Sequence, residues 1–213
     1  VMKLVDEALA RAEGQVEPGW VCLEQGTAPQ AGDTHHGWHT LIDEALHKGR
    51  FQLFFQPVVA CDAPERVLHY KVISRVLDAQ GHSVAAGRFL PWLERFGWST
   101  RLDLLMLEQV LGHMQSHTEA LALNLSAATL ADSKALQKVY ELLGQHSALG
   151  SRLTLEIAEE QLPDQAALEQ LIRRLHDLGF SLSLQRFGGR FSMIGNLAHL
   201  GLAYLKIDGS YIR

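Results

Sequence analysis

Short apolar runs alternate with longer helical patterns along most of the chain, and this alternation limits the possible folds more than any other feature. Strand-like runs are predicted at 51–59, 67–76, 120–125, 152–157, 181–184 and 204–207, although Pro57 is expected to interrupt or end the first. Apolar residues at helical spacing predict helices at 89–96, 101–114, 133–143, 165–178 and 192–200. Such an order is typical of an α/β fold with a mostly parallel sheet, open or closed as a barrel.

The chain before residue 38 is organised differently. Residues 2–12 carry apolar side chains at helical spacing, and 20–23 form a short apolar run. The segment 24–37 is rich in Gly, Ala, Pro, Gln and Thr and has no apolar period, which is typical of a linker. We therefore predict a first unit at 1–26, a linker at 27–37 and a second domain at 38–213 that opens with a helix at 38–47.

Composition narrows the class of protein. The 213 residues carry a formal net charge of −5, so there is no overall basic field to attract a nucleic acid polymer or a membrane surface. Cys22 and Cys61 are far apart in the sequence, as expected in a reducing cytoplasm. No apolar run reaches the roughly 18 residues that a membrane span needs. These features predict a cytoplasmic domain, with the possibility of a membrane anchor elsewhere left open.

Polar residues lie at the carboxyl ends of the predicted strands. In parallel α/β folds, binding and catalytic residues collect at the carboxyl ends of the strands. A single polar residue there is more often a helix cap, but a series in register favours a site. The polar segments are 71–75, 124–126, 156–159, 185–189 and Lys206 with Asp208.

A family resemblance rests on these segments. In order, the chain contains FFQPVV from residue 54, KVISR from 71, LNLSA from 123, LEIAEE from 155, QRFGGRFS from 185 and YLKIDGSYIR from 204. This series resembles the EAL phosphodiesterase family, which has QPI, E-x-L-x-R, V-N-x-S, E-x-T-E, D-D-F-G and K-I-D segments in this order. The resemblance implies a modified TIM-type barrel and enzymes that cleave cyclic di-GMP with two divalent metals. The first unit resembles the C-terminal end of a GGDEF domain.

The departures from the family pattern bear on catalysis. Lys71 stands where the family has the Glu of E-x-L, and Gln185 and Arg186 stand where it has two Asp residues. Sites for hard divalent ions need several anionic oxygens, so the resemblance combined with these changes predicts lost chemistry and no metal or other cofactor. The alternative of an active phosphodiesterase with displaced ligands would use Asn124, Glu156, Glu159 and Asp208.

Ligand binding can survive these changes, because guanidinium and ammonium groups can take over part of the electrostatic role of the metals. By resemblance, Arg75 contacts a ligand phosphate, Ile73 packs near a guanine, and Gln56 with Pro57 forms the Q-P ligand-contacting pair. Lys71, Arg186 and Lys206 are predicted to compensate charge. The remaining rim residues predicted by the resemblance are Ser126, Glu156 and Gly189.

Residues 71–73 read K-V-I where the family has E-x-L. In this respect the chain resembles the LapD type of receptor, in which degenerate GGDEF and EAL domains bind cyclic di-GMP and control a periplasmic protease. This resemblance implies a cytoplasmic part of a bacterial inner-membrane protein, an adjoining GGDEF-like domain, a homodimer and control of biofilm or adhesion. A structural partner that has lost its ligand is the remaining alternative.

Other features of the sequence have simpler interpretations. His35, His36 and His39 lie close together but have only Asp33 as a supporting carboxylate, so they are not interpreted as a metal site. Trp92, Phe96 and Trp98 are predicted to pack in a core or interface. The family barrel continues beyond K-I-D, so the barrel is expected to be incomplete here.

Overall fold

The computed structural model describes residues 34–78, 80–189 and 199–211. The predicted unit at 1–26, most of the predicted linker and nearly all of the predicted helix at 192–200 lie outside these ranges. The helices are α1 His35–Lys48, α2 Ala86–Arg95, α3 Ser99–Met114, α4 Ala127–Ala131, α5 Ser133–Gln145 and α6 Gln165–Asp177, with 3₁₀ turns at Ser147–Arg152, Glu159–Gln161 and Gly209–Tyr211. The strands are β1 Phe51–Ala60, β2 Ala63–Leu77, β3 Ser83–Ala85, β4 Leu121–Asn124, β5 Leu153–Ala158, β6 Ser181–Phe187 and β7 Leu205–Ile207.

The strands form one mixed sheet in the order β1-β2-β4-β5-β6-β7, with β3 beside β2. β1 and β3 run antiparallel to β2, whereas the steps from β2 through β4, β5 and β6 to β7 are all parallel. Helices connect β2 to β4, β4 to β5 and β5 to β6, and the sheet curls into a half-barrel. The predicted α/β barrel, incomplete at its C-terminal side, is confirmed.

The strand β1 continues through Pro57, contrary to the expectation that this residue would interrupt or end it. Pro57 lies opposite Tyr70 in the antiparallel pair with β2. Proline has no N–H to donate, and β1 is the first strand of the sheet. An edge strand tolerates this missing donor because, among the strands that the structure describes, none pairs with its other side.

The core lies between the sheet and the helices on its outer face. Along β2, Val72 and Val76 are buried, whereas Lys71, Ile73 and Arg75 on the opposite face are only partly covered. This alternation follows from the two-residue period of a strand. The central strands β4 and β5 are almost wholly buried, and β6 is buried at Leu182, Ser183, Leu184 and Phe187, so these strands supply much of the core. Burial of each large apolar side chain contributes about 1.5–3 kcal/mol.

Helix α1 packs on α2 through aromatic rings. Thr34 caps the helix by accepting a hydrogen bond from the Gly37 N–H at 3.0 Å, and the helix begins three residues earlier than predicted. Trp38 is buried and stacks on Trp92 at 6.3 Å between ring centroids. The predicted packing role of the three aromatic residues is confirmed, because Phe96 and Trp98 both contact the His39 ring.

Two negative findings apply to the described ranges. Among these residues, no group of three or more His, Cys, Asp or Glu side chains is arranged to hold a metal ion. No helix within them has the length and apolar character that crossing a membrane would require.

Candidate functional site

Parallel pairing brings the polar strand ends of β4, β5 and β6 together at one edge of the sheet. Asn124 lies opposite Glu156 in the β4–β5 pair, and Glu156 lies opposite Ser183 in the β5–β6 pair. Gln185 pairs with Ala158. The polar residues that the sequence placed at strand ends therefore do share one edge.

A buried carboxylate with two nearby ammonium groups forms the centre of this edge. Glu156 is 0% exposed, and its Oε1 forms an ion pair with the Lys206 ammonium. Its Oε2 lies 3.9 Å from the Lys71 ammonium, which donates a hydrogen bond of 2.8 Å to Gln185 Oε1. Two ammonium groups and one carboxylate leave the cluster with a net positive charge, which is suited to an anion.

Burial governs the charge state of Lys71. Burial lowers its pKa, the Glu156 carboxylate acts in the opposite direction, and Lys206 and Arg186 lower it further. The side chain is 26% exposed. The carboxylate therefore offsets part of the cost of keeping this ammonium charged beside two other cations.

Tyr204 and His69 complete the cluster, and the sequence analysis named neither. The Tyr204 hydroxyl donates to Glu156 Oε1 at 2.9 Å, and its ring stacks on the His69 ring at 5.0 Å between centroids. Burial and the Glu156 carboxylate raise the pKa of Tyr204 far above its ordinary value. Burial and Lys206 lower the pKa of His69, although Glu156 opposes this. His69 lies two residues before Lys71, and Tyr204 lies two residues before Lys206. Residues two apart in a strand share a face, so this spacing was the signal that could have indicated both.

The predicted ligand-contacting residues of the hairpin β1–β2 lie close together. Gln56 lies opposite Lys71 in the strand pair, which places both side chains on the same face as Ile73 and Arg75. Gln56 and Pro57 are exposed. The Arg75 guanidinium lies 4.5 Å from the centroid of the Phe54 ring and, within the described part of the chain, forms no hydrogen bond or ion pair. Its donors are therefore available to a ligand phosphate.

Arg186 has a different partner from the two lysines. Its Nη2 pairs with Glu160 Oε1 at 2.5 Å, and both side chains are more than half exposed. Its φ of 53° lies in the left-handed region, which residues other than glycine adopt at some cost. Of the three residues predicted to compensate charge, Lys71 and Lys206 face Glu156, whereas Arg186 pairs at the surface.

The remaining predicted rim residues are engaged within the fold. The Ser126 hydroxyl caps α4 and donates to Asp103 Oδ2 at 2.6 Å. The backbone N–H groups of Gly188 and Gly189 donate to Glu159 Oε2 at 2.8 and 2.9 Å. Asp103 was missed by the sequence analysis because it lies in a helix distant in sequence from the strand end that it holds.

The residues present do not fit a pair of divalent metals. Glu156 Oε2, Asn124 Oδ1 and Glu159 Oε1 are buried oxygens with no hydrogen-bond donor among the residues that the structure describes. They come from two carboxylates and one neutral amide, which is little anionic charge for two hard divalent ions. The Lys71 and Lys206 ammonium groups also repel any cation that approaches Glu156.

Comparisons with known proteins agree with the fold. The family model of the EAL domain matches residues 41–213. The cyclic di-GMP phosphodiesterase PdeF of Escherichia coli is 24% identical over 178 residues, which cover 81% of this chain and 23% of PdeF. The chain spans less than two thirds of the length of the curated relatives that it matches.

Two solved structures resemble the chain. The S helix-GGDEF-EAL structure of Vibrio cholerae LapD bound to c-di-GMP has a TM-score of 0.78 and 21% identity, covering 97% of this chain and 51% of that one. The EAL domain of Pseudomonas aeruginosa FimX bound to c-di-GMP has a TM-score of 0.70 and 26% identity, covering 83% of this chain and 73% of that one.

Proposed function

Because the chain belongs to the EAL domain family, we propose that it is a catalytically inactive member that binds cyclic di-GMP without metal and relays binding to adjoining domains. The observation that carries this proposal is the Lys71–Glu156–Lys206 cluster, in which the Lys71 ammonium stands where the resemblance places the carboxylate of E-x-L, beside the Lys206 that the K-I-D segment shares with the family. Cyclic di-GMP carries two phosphodiester charges, so a fixed positive cluster favours its binding while providing no metal to activate water.

The ligand site includes the open face of β2 beside this cluster. Arg75 supplies a guanidinium with free donors, and Gln56 and Ile73 lie on the same face. FimX and LapD were both solved with c-di-GMP, which supports the choice of ligand. The finer assignment is a LapD-like receptor, dimeric and attached to an inner-membrane sensor part that controls a periplasmic protease.

The test is calorimetric titration of the whole chain with cyclic di-GMP in EDTA. We expect binding by the wild type, and a loss of at least about tenfold in affinity for Arg75→Ala, because a charge-assisted phosphate contact disappears. The matched control is Arg173→Ala, which removes an exposed guanidinium from the outer helix α6.

Each contrary result favours a different alternative. Absence of binding to the wild type would leave an interaction domain without ligand. Hydrolysis of cyclic di-GMP in the presence of Mg²⁺ or Mn²⁺ would instead establish an active phosphodiesterase. This is the activity in the name of the relative PdeF.

A further inference from the structure

We infer that Tyr204 is a positioning residue of the ligand site, which holds Glu156 against Lys206 and so leaves the Lys71 ammonium available to an anionic ligand. This inference rests on the proposed cyclic di-GMP site and explains how a buried carboxylate can lie within it without neutralising both lysines.

The two oxygens of Glu156 have different partners. Oε1 receives the Tyr204 hydroxyl hydrogen bond at 2.9 Å and the Lys206 ion pair. Oε2 lies 3.9 Å from Lys71 Nζ, beyond hydrogen-bond distance. Lys71 instead donates to the neutral Gln185 amide oxygen at 2.8 Å, which leaves its charge only partly compensated.

Tyr204 is itself fixed on several sides. Its backbone N–H donates to Ser183 Oγ at 3.2 Å, and its ring stacks on His69 with an interplanar angle of 13°. The Lys206 ammonium lies 5.4 Å from the centroid of the same ring. The hydroxyl therefore has a defined position, and Lys206 contacts both the ring and the carboxylate that the hydroxyl holds.

Removal of the hydroxyl leaves Glu156 with one fewer donor on Oε1. The carboxylate is fully buried, so it cannot recover that donor from bulk water. The Lys71 ammonium lies 3.9 Å from its second oxygen, Oε2. We expect the carboxylate to rotate toward Lys71 and the ammonium to be drawn into a direct ion pair, which removes it from the ligand.

The test combines Tyr204→Phe, which keeps the ring and its stack, with Lys71→Met in a double-mutant cycle. Affinity for cyclic di-GMP is measured in EDTA, and melting temperatures confirm that every variant is folded. Tyr204→Phe should weaken binding about tenfold in the wild type and less than about twofold in the Lys71→Met background. Tyr140→Phe, on the outer helix α5, is the control and should bind like the wild type.

An equal loss in both backgrounds would show a merely structural role and overturn the inference, as would full affinity of Tyr204→Phe. A crystal structure of unliganded Tyr204→Phe tests the geometry separately. We expect the Lys71 Nζ to Glu156 Oε2 distance to fall from 3.9 Å to about 3 Å. An unchanged distance overturns the inference, whereas absence of ligand binding by the wild type refutes only the proposed function.

Discussion

Lys71 lies between the neutral amide of Gln185 and the buried carboxylate of Glu156. Lys71→Glu would place a second carboxylate beside Glu156, with Lys206 as the nearest remaining cation of the cluster. Like charges in a partly buried site repel and lower the stability of the fold, and a divalent cation relieves that repulsion. We expect the melting temperature in EDTA to fall by roughly 5 °C and to recover in part with Mg²⁺ or Mn²⁺.

The control for this prediction is Lys138→Glu, which makes the same charge change at an exposed position of α5. It should respond little to divalent ions, as should the wild type. An increase in the wild-type melting temperature as large as that of Lys71→Glu would contradict the inference that Lys71 keeps metals out of this site.

The sequence predicted some residues of the candidate site but not others. Lys71, Glu156 and Lys206 lie in the predicted strands 67–76, 152–157 and 204–207, and parallel strands bring their carboxyl ends to one edge, so their proximity follows from the order of elements. The roles of Tyr204 and Asp103 did not follow. Both act through hydrogen bonds to residues distant in sequence, and such partners depend on how helices and strands pack.

The elements themselves followed from apolar periodicity, and their boundaries depended on local contacts. The helix α1 begins at His35 because Thr34 supplies a cap, whereas the apolar pattern starts only at Trp38. The strand β1 extends through Pro57 because its neighbour β2 lies on one side only. Caps and edge positions are properties of the folded sheet and helix, so periodicity alone misplaces the ends.

The turn before β5 packs closely against the backbone that leads into β6, and this contact predicts the effect of a substitution. Gly150 is buried in the 3₁₀ turn before β5, and a Cβ at this residue would lie 2.3 Å from the backbone oxygen of Gly179, which precedes β6. A backbone atom cannot turn aside as a side chain can. Gly150→Ala should therefore reduce the free energy of unfolding by about 2 kcal/mol, measured by urea denaturation.

The matched control is Gly112→Ala in α3, where an added Cβ has no atom within 4 Å. Alanine there should increase the free energy of unfolding by about 0.5 kcal/mol, because glycine loses more backbone entropy on folding. Equal effects of the two substitutions would mean that the Gly150–Gly179 approach does not constrain the fold.

At the scale of the whole molecule, α3 connects the carboxyl end of β4 with α1. Asp103 on α3 accepts hydrogen bonds from the Ser126 N–H and hydroxyl at 2.8 and 2.6 Å, immediately after β4. Two residues earlier, Arg101 pairs with Asp43 of α1 at 3.3 Å. The adjacent Trp98 ring lies 4.6 Å from the His39 ring. The helix α3 therefore contacts both Ser126, just beyond β4, and the helix α1, which makes it a physical route for the proposed relay.

If binding is relayed along this route, cyclic di-GMP should slow amide hydrogen exchange in two places, the strand ends and α1. Ordering of the β4 end fixes Asp103, which holds α3, and α3 then restricts α1 through Trp98 and Arg101. Trp98→Ala should bind ligand with affinity within about twofold of the wild type but lose most of the added protection in α1. Protection that stays confined to the strand ends in the wild type would rule out α1 as the relay, and equal α1 protection in both proteins would place the route elsewhere.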